Sequence, residues 1–228
     1  MFEKDRLIAF TDAVIAVIIT VMVLELKVPE ASDTEASWSD LSHLQSLLLS
    51  YAISFFLLAT YWNNHHHLMQ VAPHVTSPIM WANMSLLFFL SLIPFATNWM
   101  GRNLSAPVPA AVYSVLNMIC GLAYFLLQRL VMNELGPDSP MERAIGNDWK
   151  GKLSTALLGL SVPMALWVNV WVARALVIAV VLLWIAPDSR IEAVVAQSAR
   201  AENNLVTVSQ PLLIRVAQAQ TSGQVLLN

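Results

Sequence analysis

The chain has 228 residues, of which 57% are hydrophobic and 12% are charged, and its formal net charge is −3 at pH 7. Soluble domains usually carry about 25% charged residues, so this composition excludes an ordinary soluble domain and indicates an integral membrane protein. The small negative charge also argues against a nucleic-acid partner, and a single cysteine, Cys120, excludes an intrachain disulfide.

Six apolar runs follow one another along the chain, each near the roughly 20 residues that a membrane-spanning helix needs. They cover residues 7–28, 42–62, 79–99, 108–132, 153–168 and 171–186. Only Val168-Asn169-Val170 separates the last two. We therefore predict an all-α, integral membrane six-helix bundle in residues 1–187. Residues 188–228 are predicted to be a cytoplasmic tail that is partly disordered.

The basic residues indicate how these helices are oriented. If the N-terminus is cytoplasmic, nine Lys and Arg residues lie on the inner side, whereas Lys27, Arg102 and Arg174 lie on the outer side. Cytoplasmic loops carry an excess of positive residues. The sequence therefore predicts that the N- and C-termini are both cytoplasmic.

The first run carries one apolar face and one acid. At 100° per residue, a single face holds Phe10, Ala13, Val17, Thr20, Val21, Leu24 and Val28. Such a face can line a narrow pore, or it can pack against neighbouring helices. Asp12 points about 140° away from Val17. An ionisable group at membrane depth costs at least a few kcal/mol, so Asp12 is expected inside the bundle, and Asp12 and Arg6 are expected to have partners on other helices.

Arg6-Leu7-Ile8-Ala9-Phe10-Thr11-Asp12 matches the R-x-x-x-F-S/T-D signature of bacterial proteins related to the lysosomal potassium channel, the transmembrane protein 175 family. The resemblance continues through Thr20-Val21-Met22, Leu24-Glu25-Leu26, Tyr61-Trp62-Asn63-Asn64-His65-His66, Asn83, Pro94-Phe95-Ala96-Thr97 and Pro187-Asp188-Ser189-Arg190, and covers about residues 4–192. Thr11 replaces the usual Ser, and Val17 stands where relatives often have Ile or Leu.

Bacterial members of that family are cation channels that prefer potassium, in which four copies surround a pore lined by the first helix. The resemblance therefore implies a homotetramer in the lipid bilayer of the inner (plasma) membrane, with potassium as the permeant ion and no cofactor. It also implies roles for particular residues. These are pore constriction by Val17 and Leu24, ion coordination and selectivity by Thr20 and Val21, and support of the pore helix by Arg6, Phe10, Thr11 and Asp12.

A selectivity filter of backbone carbonyls is not expected, because the chain has no T-V-G-Y-G-like loop and only seven glycines. An apolar ring discriminates by resisting ions that hold their water tightly, and it can gate by dewetting. Sodium holds its water more strongly than potassium, so a ring of Val17 favours potassium modestly, and Thr20 hydroxyls can replace some of the lost water.

Several other polar residues lie in or beside the apolar runs. Adjacent histidines point 100° apart on a helix, so His65-His66-His67 is expected to form hydrogen bonds near Arg6 and Asp12 and not a metal site. Glu25 is either a solvated helix end or an acid at the outer mouth of the pore that concentrates cations. Asn83, Thr97 and Asn117 are expected to form hydrogen bonds between helices.

Two other functions compete with a channel. A proton-coupled secondary transporter could use Asp12 or the His65–His67 cluster as a proton relay. Against it, the chain shows no paired repeats with matching broken helices. A membrane enzyme would need a nucleophile with a base, an H-E-x-x-H motif or a Gly-rich phosphate loop, and the sequence contains none of these. We therefore predict that the protein is not an enzyme.

Overall fold

A computed structural model describes residues 3–27, 44–136 and 149–185, and the tail predicted at 188–228 lies outside the described residues. Within these three ranges the regular elements are helices. They are α1 (Lys4–Leu24), α2 (Gln45–Val71), α3 (Ser77–Leu90), α4 (Ile93–Arg102), α5 (Pro107–Leu135), α6 (Trp149–Pro163) and α7 (Val170–Ile185), and a π-helical turn, Met164–Val168, continues α6.

The predicted all-α class is confirmed for the described residues. Five stretches are long and apolar enough to cross a membrane: Lys4–Leu24, Gln45–Val71, Ser77–Arg102, Pro107–Leu135 and Trp149–Val168. The apolar helix α7 has only 16 residues, fewer than the roughly 20 that an untilted span needs. The count of six membrane-spanning helices therefore stays a prediction.

The third apolar run forms two helices and not one. Ser91 and Leu92 lie between α3 and α4, and the amide of Leu92 donates to the carbonyl of Phe89, three residues earlier and not four. Pro94 is at the start of α4, and proline cannot donate a backbone hydrogen bond to the carbonyl four residues earlier, with which its ring also clashes. The break therefore falls where that lost bond, to Leu90, would have joined the two helices.

Helix α2 extends well beyond the end of the apolar run predicted at 42–62. It continues to Val71 because no proline or glycine follows Trp62 until Pro73, and the residue before that proline, Ala72, is extended. Lys4 Nζ donates hydrogen bonds to the carbonyl oxygens of Gln70 and Ala72, at 3.2 and 3.1 Å. The start of α1 is thereby fixed to the end of α2.

One face of α1 packs against α2, α3 and α4. Its buried side chains recur every three or four residues, at Leu7, Thr11, Ile15, Ile18 and Met22, which is the spacing of one helical face. Further into the bundle, Ser54 Oγ lies 2.7 Å from Thr97 Oγ1 and 2.8 Å from Tyr113 Oη. These buried hydrogen bonds join α2, α4 and α5, so Thr97 forms the interhelical bond that the sequence predicts.

The turn between α6 and α7 lies at Asn169, within the predicted separator. The amide of Asn169 donates to the carbonyl of Met164 at 2.8 Å, which closes the π-helical turn. Its side-chain Oδ1 accepts a hydrogen bond from the amide of Trp171 at 2.8 Å. Asn169 thus caps the first turn of α7, as asparagine commonly does at helix N-termini.

Candidate functional site

The apolar stripe predicted on the first helix is the face of α1 that a single subunit leaves uncovered. Val17 is 58% exposed and Leu24 is 75% exposed, and Phe10, Thr20 and Val21 are exposed as well. Val28, the last member of the predicted stripe, lies outside the described residues. The uncovered stripe and the buried face of α1 thus occupy opposite sides of one helix.

Thr20 is the polar member of this stripe, and its hydroxyl is oriented by the helix itself. Thr20 Oγ1 donates a hydrogen bond to the carbonyl oxygen of Val17 at 2.9 Å. The hydroxyl proton is therefore directed at the backbone, and the lone pairs of the same oxygen remain available on the uncovered face. Such oxygen lone pairs can coordinate an alkali cation.

Beneath the stripe, a buried hydrogen-bonded chain holds α1 against α2 and α3. Asn83 Nδ2 donates to Thr11 Oγ1 at 2.8 Å, and Asn83 Oδ1 lies 2.9 Å from His65 Nε2. All three side chains are fully buried. Buried polar groups usually have hydrogen-bond partners. Here each of the three helices provides a partner for a polar group on another, so Asn83 forms the predicted interhelical bond.

Asp12 has a partner on α2. Its Oδ1 accepts a hydrogen bond from Trp62 Nε1 at 2.9 Å, and the Trp62 indole stacks on the His66 ring with centroids 5.8 Å apart. Asp12 is half-buried and lies away from the stripe. Trp62 was not predicted as this partner, although it lies in the motif Tyr61-Trp62-Asn63-Asn64-His65-His66.

Arg6 differs from Asp12, which has a hydrogen-bond partner on α2. It is exposed, and in the described part of the chain it forms no hydrogen bond or ion pair. The expected hydrogen bonds of the histidine cluster near the start of α1 therefore involve Thr11, through Asn83, and not Arg6.

The three adjacent histidines point in different directions. His65 bonds Asn83, His66 Nε2 lies 2.9 Å from Gln70 Nε2, and the His67 ring contacts His66 edge-on. Within the described ranges, no three His, Cys, Asp or Glu side chains come together in an arrangement that could hold a metal ion.

Glu25, at the C-terminal end of α1, is fixed by α4. Its Oε2 accepts a hydrogen bond from Asn98 Nδ2 at 2.6 Å, and Asn98 Oδ1 accepts one from Arg102 Nε at 2.8 Å. The Glu25 carboxylate is half-buried and lies next to Leu24 in sequence. It is therefore held at the end of the uncovered stripe by a neighbouring helix.

Asn117 departs from expectation. Its Nδ2 donates to the carbonyl of Tyr113 at 2.8 Å, which lies on the same helix, α5. No other described residue provides a partner for Asn117 Oδ1. The predicted interhelical bond of Asn117 is therefore absent from the described residues, and Asn117 is one of the residues that line a cavity.

Comparison with known proteins places these features in a family. Residues 6–94 match the family described as the endosomal/lysosomal potassium channel TMEM175. The matched segment includes the uncovered stripe from Phe10 to Leu24, and also Thr11, Asn83 and His65.

Two relatives and one solved structure give the extent of the similarity. The chain is 40% identical over 189 residues to the potassium channel HX13_20290 of Chryseobacterium sp. (strain P1-3), which covers 83% of this chain and 96% of the relative. It is 25% identical over 128 residues to the endosomal/lysosomal proton channel TMEM175 of Danio rerio, covering 55% of this chain and 24% of that one.

The crystal structure of a lysosomal potassium-selective channel TMEM175 homolog from Chamaesiphon minutus has the same fold, with a TM-score of 0.68 over 81% of this chain and 97% of that one. Its sequence identity is 23%, so this likeness concerns the fold alone.

Proposed function

Because this chain belongs to the family of the endosomal/lysosomal potassium channel TMEM175, we propose that it is a passive, potassium-preferring cation channel. It is a multi-pass membrane protein, since several of its helices are long and apolar enough to span a bilayer. The bacterial relative of highest identity reported above is named a potassium channel, and the fold matches that of a channel.

The observation that carries the proposal is the division of α1 into two faces. One face packs on α2, α3 and α4, whereas the stripe around Val17 is left uncovered although it is almost entirely apolar. One subunit cannot enclose a pore with a single helix. Four copies around an axis would bring four such stripes together, and closed cyclic symmetry is the common solution for membrane and soluble oligomers alike.

Within this homotetramer we assign the positions along the pore as follows. Val17 and Leu24 form apolar collars that hydrated ions cross with difficulty, and the Thr20 hydroxyl oxygens, with Val21 beside them, form the layer between the collars. Because sodium holds its water more strongly than potassium, the collar at Val17 disfavours sodium. Glu25 adds negative charge beyond Leu24, where it would raise the local concentration of cations.

Support of the pore helix comes from its other side. Thr11 and Asp12, on that side, are held by hydrogen bonds to α3 and α2. Phe10 and Arg6 are instead exposed on the side of the stripe, and we place them at contacts between subunits at this end of α1. The channel needs no cofactor beyond the permeant potassium ion and catalyses no reaction. We place residues 1–187, as six spans, in the inner (plasma) membrane with both termini cytoplasmic.

A proton-carrying mechanism is the competing function, because a vertebrate relative is named a proton channel and Asp12 and the His65–His67 cluster lie in α1 and α2. In the proposed channel these groups brace helices and lie off the pore stripe. The two functions differ in which ion carries the current.

The experiment is reconstitution of the purified protein in planar bilayers or liposomes under opposed potassium and sodium gradients. We expect an ohmic current whose reversal potential is shifted from that of a non-selective pore towards the potassium equilibrium potential, and we expect it to persist when the proton gradient is abolished. Val17→Asn should wet the collar and raise the current several-fold, whereas Leu182→Asn, on α7, should leave it unchanged because Leu182 is as exposed as Val17 but is not in the pore. Saturable, voltage-insensitive turnover, or a current carried by protons alone, would refute the proposal.

A further inference from the structure

A cavity of about 450 Å³ lies between α2, α5, α6 and α7, apart from the uncovered face of α1. That volume is within the range of small-molecule binding sites, which are mostly apolar with a few placed polar groups. Its walls include six apolar side chains from all four helices: Leu57, Met118, Leu122, Phe125, Leu158 and Val180.

One of the lining residues, Asn117, has a buried polar atom without a partner among the described residues. Asn117 is 1% exposed, and no described residue forms a hydrogen bond with its Oδ1. A buried acceptor left unsatisfied is destabilising, because burial has removed its hydrogen bonds to water. Among the buried side chains that share this cavity with Asn117, Leu57, Leu158 and Val180 are apolar, and the polar one, Ser154, already accepts a hydrogen bond from Trp184 Nε1. The site therefore favours an occupant that is apolar over most of its surface and donates one hydrogen bond.

The extent of the cavity along α5 favours an elongated occupant. Along α5 the lining residues run from Asn117 to Gln128, eleven residues apart and hence about 16 Å of helix. A single extended hydrocarbon chain can lie along a cavity of that length. Leu122 and Phe125 line the cavity and are exposed, and both belong to a stretch that is long and apolar enough to cross a membrane, Pro107–Leu135.

We propose that this cavity binds a single-chain, lipid-like molecule that enters from the bilayer beside Leu122 and Phe125. Its hydroxyl group donates a hydrogen bond to Asn117 Oδ1, and its hydrocarbon chain lies along α5 against the apolar walls.

The position of α2 connects such an occupant to the pore helix. Leu57, Tyr61 and Asn64 line the cavity, whereas Trp62 and His65, on the same turns, hold Asp12 and, through Asn83, Thr11. An occupant therefore contacts the segment of α2 that braces α1, and we expect it to change the current. This second part rests on the proposed channel function.

The test is photolabelling of the full-length protein in lipid nanodiscs with a long-chain alcohol that carries a diazirine. A second probe, in which a methyl ether replaces the hydroxyl, tests the hydrogen bond. We expect saturable labelling within residues 118–125 and 151–158, mapped by peptide mass spectrometry and competed by unlabelled alcohol. The alcohol should label at a lower concentration than the ether, and Asn117→Leu should remove that difference.

Two glycine variants form a matched pair. A Cβ on Gly121 would meet only Tyr61 Oη, at 3.8 Å, so Gly121→Leu can fill the cavity without a backbone clash, and it should abolish labelling. A Cβ on Gly159 would likewise make one ordinary contact, to Met118 Sδ at 3.9 Å, but Gly159 does not line the cavity. Gly159→Leu should therefore keep the labelling. If Gly121→Leu fails to elute as the wild-type oligomer, Leu122→Trp takes its place.

Labelling that spreads over all membrane-facing helices and survives in Gly121→Leu would overturn the site, as would equal labelling by alcohol and ether in the wild type. Currents recorded with and without the alcohol test the coupling: a change that Gly121→Leu abolishes supports it, and unchanged wild-type currents refute it. Because labelling does not need ion flux, a protein that conducts no potassium would contradict the proposed function and leave the binding result readable.

Discussion

Thr20 differs from the other residues of the uncovered stripe because it has a side-chain oxygen there. The hydroxyl donates its hydrogen bond to the carbonyl oxygen of Val17. We predict that Thr20→Val, which keeps the shape and removes the oxygen, will shift the reversal potential towards that of a non-selective pore. Thr20→Ser keeps the hydroxyl and should retain most of the potassium preference. The measurement is the reversal potential with potassium on one side of the membrane and sodium on the other. An unchanged preference in Thr20→Val would remove Thr20 from the selectivity layer.

Asn83 contributes to stability, because its two hydrogen bonds are buried beneath the uncovered stripe and join three helices. Asn83→Leu leaves the Thr11 hydroxyl and His65 Nε2 without their partner, so we predict a loss of about 1–3 kcal/mol in the free energy of unfolding. Ser85→Ala, on the same helix, removes only an exposed bond to the carbonyl of Trp81 and should change stability by less than about 0.5 kcal/mol. Denaturant titration in mixed micelles measures both. Equal stability of the two variants would show that Asn83 does not hold α1 in place.

For the helices, the periodicity of the sequence predicted which residues share a face, but not which residues of different helices form hydrogen bonds. The 100° rule separated the stripe of α1 from the side that bears Thr11 and Asp12, because which residues share a face depends only on local geometry. The break before α4 could also have been predicted, since a proline such as Pro94 interrupts helical hydrogen bonding. A count of apolar residues does not detect such a break. The partners of Asp12 and Glu25 were not predictable, since Trp62 and Asn98 lie 50 and 73 residues away and one sequence does not say which helices are neighbours.

Helices α2 and α4 lie close together at Gly101. A Cβ there would lie 2.9 Å from Leu47 Cδ2 and 3.3 Å from both Leu47 Cα and Ser50 Cβ. We therefore predict that Gly101→Val forces the two helices apart and costs about 1–3 kcal/mol, as overpacking usually does. Gly159→Val is the matched control, because the corresponding Cβ would meet only Met118 Sδ at ordinary distance. Thermal unfolding followed by size-exclusion chromatography compares them, and equal melting temperatures would contradict the close packing at Gly101.

For the whole molecule, the proposed pore exists only in an assembly, so its test must join subunits. In a Cys120→Ser background, Val17→Cys places one thiol near the proposed axis, and Leu182→Cys places one at a site of similar exposure on α7, 58% against 61%. A short bifunctional thiol reagent should convert Val17→Cys to covalent dimers at any protein dilution, because four copies of α1 meet at the axis, and light scattering should give the mass of four chains. Leu182→Cys should stay uncrosslinked. Equal crosslinking at the two sites, or the mass of one chain, would mean that the uncovered stripe of α1 faces lipid and that the pore assignment is wrong.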